Sequence, residues 1–124
     1  MPVRFEIDKE RRLVRSFGWG DLTFADLRQH QQTLRADPDF DPDFDQLGDL
    51  SGVVSVAISA HEVEQVAYSD LFSANSHRAF VASSQLAYGL LRMFQAHHEF
   101  SSAPSKTMVF TNMSEALEWL NKKD

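Results

Sequence analysis

An α/β domain on a mixed sheet of about five strands, with about four helices, is predicted by three observations on this 124-residue chain. Its start alternates apolar with charged residues, segments of period two then give way repeatedly to segments of period 3.6, and each helical segment follows a side chain suited to capping. Strands alternating with helices imply parallel crossovers, whereas an opening hairpin adds an antiparallel edge. The length fits one domain over residues 1–124, and a composition of 43% apolar and 24% charged residues is that of an ordinary folded protein.

Val3, Phe5 and Ile7 alternate with Arg4, Glu6 and Asp8, and after a charged turn at Asp8 to Arg12 the alternation resumes through Leu13, Arg15, Phe17 and Trp19. This predicts the β-hairpin. Thr23 and Asp26 form a capping-box pattern, and Phe24, Leu27, Gln31 and Leu34 recur at helical spacing until Asp37-Pro38 ends the first helix. Phe44 to Leu50 predicts a short strand. Ser59-Ala60-His61-Glu62 is a second capping box, opening a helix whose stripe is Val63, Val66, Ala67 and Leu71. Arg78 to Ala82 gives the next strand, Ser84 caps a helix reaching about His98, Lys106 to Thr111 forms the last strand, and Asn112 caps the last helix. In the helix from Ser84, Leu86, Leu90, Met93 and Phe94 form one stripe, while Ala87, Tyr88 and Leu91 put apolar bulk on another face. Its second neighbour is either another part of the chain or the second subunit of a homodimer.

The formal charge of −6 disfavours nucleic acid, and the basic cluster of Arg4, Lys9, Arg11, Arg12 and Arg15 is opposed by Glu6, Asp8 and Glu10. With no cysteine there are no disulfides, thiol nucleophiles or thiolate metal sites. The amino end lacks the apolar run of a signal peptide and no segment reads as transmembrane, so the expected compartment is the cytoplasm. No cofactor is expected, because neither a phosphate-binding glycine loop, a dinucleotide fingerprint nor a nucleophile elbow occurs. Asp37, Asp39, Asp41, Asp43 and Asp45 alternate, but an EF-hand frame starting at Asp37, Asp39 or Asp41 meets Pro42, Phe44 or Gln46 where glycine is required. A solvated acidic loop with Phe40 and Phe44 turned inward is the expectation. His30, His61, His77, His97 and His98 lack the spacing that puts two ligands on one helix face, and read as surface or helix-end residues.

The stretch from Asp49 to Ser59 reads as a strand that ends in a turn at Ser51-Gly52 and leads into a helix, the kind of place where α/β proteins display ligands. Together with Arg78-Ala79-Phe80-Val81, Ala87-Tyr88-Gly89-Leu90-Leu91-Arg92-Met93-Phe94, and Val109-Phe110 followed by Ala116-Leu117-Glu118-Trp119-Leu120, it resembles the bacterial SpoIIAA-like family. The resemblance implies a STAS-like fold related to anti-sigma-factor antagonists. In those relatives a serine in an Asp-Ser-Ser-Gly segment is phosphorylated, and Ser59 occupies that place by its spacing from Asp49. Ala57, Ile58 and Ala60 stand where the aspartate, first serine and glycine of that segment would be.

The residues point first to a non-catalytic binding or regulatory module that recognises a protein partner or a small apolar or anionic ligand. Ser51, Gly52 and Ser59 are its candidate site, with Tyr88 and Arg92 as a second group. Two alternatives remain open: a phosphorylatable switch at Ser59, and a small enzyme using Asp49, His61 or Glu62 as acid or base with Arg92 anchoring an anion.

Overall fold

The computed structural model describes residues 3–68, 71–101 and 104–122. Strand β1 (Val3–Asp8) pairs antiparallel with β2 (Leu13–Thr23), which leads into helix α1 (Phe24–Ala36). Strand β3 (Asp45–Ala57), helix α2 (Ala60–Tyr68), strand β4 (His77–Val81), helix α3 (Gln85–His98), strand β5 (Lys106–Phe110) and helix α4 (Met113–Lys122) follow. The five strands lie in the order β1-β2-β3-β4-β5, and every pair after the first is parallel.

Because each parallel strand is added beside the one before it, crossovers of one hand carry their helices to one face of the sheet. There α2 and α3 enclose a core containing Val63, Ala67, Phe80, Leu91 and Phe94, while Val14, Leu34, Phe44 and Phe72 form an adjoining cluster beneath α1. Helix α4 covers the opposite face, packing Ala116 and Leu120 on Leu13, Leu47, Ala79 and Val81. The alternation along β2, β3 and β4 separates these faces: Leu47 and Ala79 point to α4, whereas Gln46, Arg78 and Phe80 point to the three-helix side.

The capping boxes form as the sequence predicts. Thr23 Oγ1 accepts from Asp26 N at 3.2 Å, and Asp26 Oδ2 accepts in return from Thr23 N at 2.9 Å. Asn112 Oδ1 likewise accepts from Glu115 N at the start of α4. In the acidic loop, Asp37 and Asp41 each accept from the backbone N–H two residues on, Phe44 is buried, and Phe40 meets Phe72 edge-on. Hydrogen bonds from Ser73 and Asn75 hold Asp43 below the usual carboxylate range.

Four expectations are corrected. Strand β3 does not turn at Ser51-Gly52 but continues to Ala57 beside β2, through register shifts between Phe17 and Trp19 and between Gly20 and Asp21. Gly20 makes one shift possible by adopting φ +64°, a left-handed conformation that glycine takes without penalty. Helix α3 turns Phe94 into the core but leaves Leu86 and Met93 outside, so the predicted stripe is split. His98 is not a surface residue: it is 1% exposed, donates from Nδ1 to the Ala67 carbonyl, and accepts at Nε2 from Ser105 N. Leu71, assigned by its spacing to the second helix, lies beyond α2, and residues 69–70 between them are outside the described residues. Among the described residues, no helix is long and apolar enough to cross a membrane.

Gly48 shows how closely strand and core are fitted. A Cβ there would lie 2.4 Å from Phe80 Cδ1, so only a hydrogen lets the Phe80 ring lie across β3. Gly48→Ala is expected to push that ring aside and to lower stability by about 1–3 kcal/mol in urea unfolding, the usual cost of overpacking.

Candidate functional site

Beneath α1, α2 and α3 lies a cavity of about 100 Å³. Its wall is mostly apolar, with Leu27 and Leu34 from α1, Val63 and Val66 from α2, Leu91 and Phe94 from α3, and Phe80 from the sheet. Four polar side chains also line it: His30, Gln31, Gln46 and Arg78. Gln46 and Arg78 are register partners on β3 and β4, and Ser16 lies on neighbouring β2, so the polar groups sit in the middle of the sheet.

Arg78, Gln46, Ser16 and His30 are linked by hydrogen bonds. Arg78 Nε donates to Gln46 Oε1 at 2.9 Å, which turns the amide so that Gln46 Nε2 donates to Ser16 Oγ at 3.0 Å. Ser16 Oγ and His30 Nε2 lie 2.9 Å apart and share a hydrogen bond whose direction follows the imidazole tautomer. Burial, reinforced by the charge of Arg78, pushes the His30 pKa down to about 4, and the ring is therefore neutral at pH 7. His30 Nδ1 makes no hydrogen bond among the described residues.

The arginine is held by rings as well as by the amide. Its guanidinium carbon lies 4.5 Å from the centre of Phe72, 5.3 Å from Phe80 and 5.4 Å from Phe94. Aromatic faces attract a cation electrostatically, and this surround keeps the buried charge in place between the sheet and the helices.

Outside the cavity, α1 and α2 border a groove of about 550 Å³ that includes Phe24, Arg28, Arg35, Gln65 and Tyr68. Gln31 and Val66 line both spaces, so the groove lies directly over the cavity.

A scan against protein-family models finds no match, and neither does a search of curated proteins. Among solved structures, the chain is similar to an uncharacterised protein of the DUF3478 family from Shewanella loihica PV-4, described as having a SpoIIAA-like fold. The two superpose with a TM-score of 0.62 over 95% of this chain and 93% of that one, at 17% sequence identity. The present chain has a SpoIIAA-like fold. At this identity the likeness concerns architecture, and the site has to be read from its own residues.

Within this SpoIIAA-like fold, the residues singled out by the sequence lie apart from the cavity. Ser51 is exposed on β3, where its Oγ donates to Asp49 Oδ1 at 2.6 Å and its carbonyl accepts from Ser83 Oγ. Gly52 lies against Trp19, with the position of a Cβ only 3.1 Å from Trp19 Cβ. Ser59 caps α2, accepting from Glu62 N at 3.1 Å while Glu62 Oε1 accepts from Ser59 N at 2.9 Å. Arg92 is exposed and donates to Tyr88 Oη at 3.4 Å. No hydrogen bond or ion pair joins Asp49, His61, Glu62 and Arg92 to one another, and none of them lines the cavity. Loss of the α2 cap in Ser59→Ala is expected to cost about 1 kcal/mol, read as a lower urea midpoint at unchanged m-value.

His30, expected at the surface or a helix end, instead lines the cavity, and Gln46 and Arg78 were not among the expected site residues. A signal for them existed: Arg78 is a long polar residue in the otherwise apolar run Ala79-Phe80-Val81, Gln46 shares the face of β3 opposite Leu47, and His30 lies between Leu27 and Leu34 on α1.

Proposed function

We propose that this protein is a non-catalytic binding module that holds a small, mostly apolar ligand in the cavity beneath α1, α2 and α3. The observation that carries this reading is an apolar cavity in the core where Arg78, Gln46 and His30 are already linked by hydrogen bonds through Ser16. Ligand sites are commonly apolar concavities with a few placed polar groups that set orientation. Here the groups are held before any ligand arrives, so little ordering remains to be done on binding. A histidine of pKa about 4 is a weak base at neutral pH, which favours recognition over proton transfer as its role.

Octan-1-ol is a suitable neutral probe. It is expected to raise the melting temperature of the full chain saturably, by several degrees at about a hundredfold excess over Kd, where binding contributes about 2.7 kcal/mol. Val66→Trp fills the junction between cavity and groove and is expected to abolish the shift, with Leu27→Phe as an independent block. An absent or non-saturating shift in the parent chain, or equal saturable shifts in both blocked variants, contradicts the reading.

A further inference from the structure

The groove above the cavity carries a charge pattern at odds with the rest of the chain. The protein bears a formal charge of −6, yet the charged residues bordering this groove are both arginines, Arg28 and Arg35. They stand seven residues apart on α1, which places them along one helix face. Neither has a carboxylate partner among the described residues, although Arg4, Lys9, Arg11 and Lys122 each have one. The guanidinium carbon of Arg28 lies 5.7 Å from the centre of the Phe24 ring, a contact that supplies no hydrogen-bond acceptor to its N–H groups.

From this arrangement we infer that the ligand is an anionic amphiphile, with a carboxylate head held by Arg28 and Arg35 in the α1–α2 groove and an apolar tail reaching the cavity past Gln31 and Val66. The inference rests on the cavity reading proposed above and adds the chemical class of the ligand and its direction. A planar guanidinium edge matches the two oxygens of a carboxylate, and an exposed pair of arginines satisfies that head without requiring its full desolvation. The tail gains by leaving water, at about 0.8 kcal/mol for each buried methylene. The cavity's small volume restricts the inserted part to a few carbon atoms, so a free medium-chain acid suits the two spaces together.

The test is calorimetric titration of the full chain with octanoate and, separately, with octan-1-ol, which has the same chain length and no charge. Octanoate is expected to bind about tenfold more tightly or better. In the double variant Arg28→Gln/Arg35→Gln that advantage is expected to disappear while the affinity for octan-1-ol is unchanged, which also shows the cavity to be intact. Equal affinities in the parent chain, or an octanoate preference that survives the double variant, overturn the charged-head inference and leave the cavity reading standing. If neither compound binds, both fail. Cosedimentation with phosphatidylcholine vesicles, with and without phosphatidylglycerol, adds a separate arm. Arginine-dependent capture by the anionic vesicles without an octanoate preference assigns the groove to a lipid surface and overturns the free-acid inference.

Discussion

Replacing Arg78 with alanine is expected to lower the unfolding free energy by about 3–5 kcal/mol, the largest effect of any single exposed or buried polar substitution considered for this chain. Two losses combine. The guanidinium is almost fully buried among Phe72, Phe80 and Phe94, so truncation leaves a void where aromatic faces met a cation. Its Nε–H also satisfies Gln46 Oε1, which would become a buried acceptor without that donor. Arg78→Met retains most of the volume and is expected to recover part of the loss. Urea unfolding of the parent and both variants checks the order. A cost below about 1 kcal/mol for Arg78→Ala would show that the buried row adds little to the fold.

A second large effect is a loss of stability in mild acid, traceable to His30. In the unfolded chain its imidazole takes a pKa near 6.5, whereas burial and Arg78 lower it to about 4 in the folded protein. Between these values the unfolded state binds more protons, so stability rises with pH and falls as pH drops from about 6.5 to about 4. The stabilisation is complete above pH 6.5. The shift corresponds to about 3 kcal/mol as an upper value, because the ring is only half-buried and solvent screens part of the penalty. Unfolding free energies measured at several pH values should show this slope. His30→Gln keeps a group able to bond Ser16 but cannot titrate, and is expected to remove the His30 share of the slope. An unchanged acid profile in that variant contradicts the assignment.

Most elements were legible in the sequence because their signals are local. Thr23 with Asp26 and Ser59 with Glu62 announce helix starts within four residues, and the alternation of Val3, Phe5 and Ile7 announces a strand within six. What escaped was fixed by distant pairing. Ser51-Gly52 looks like a turn on its own, yet β2 runs alongside it and extends the strand to Ala57, with Gly20 supplying the irregular backbone that keeps the pairing in step. The same limit hid the site. Ser16, His30, Gln46 and Arg78 stand far apart along the chain, and only the pairing of β2, β3 and β4 brings the sheet residues together under α1.

The expected location also depended on topology. Ligands in doubly wound sheets gather where the strand order reverses, but here β2 to β5 follow one another without reversal. Helices α1, α2 and α3 therefore accumulate on one face, and the space between them replaces the strand-end crevice as the place where polar groups converge. The Asp49–Ser59 stretch supplies part of the frame, through a long strand and a capped helix.

The most direct test of the cavity as a binding site is methyl-resolved NMR of the full chain titrated with octan-1-ol. The account predicts saturable shifts concentrated on Leu27, Leu34, Val63, Val66 and Leu91, which line the cavity, with Leu86 and Met93 on the outer face of α3 left unmoved. Shifts confined to Leu86 and Met93, or no saturable change at any of these methyl groups, would contradict it.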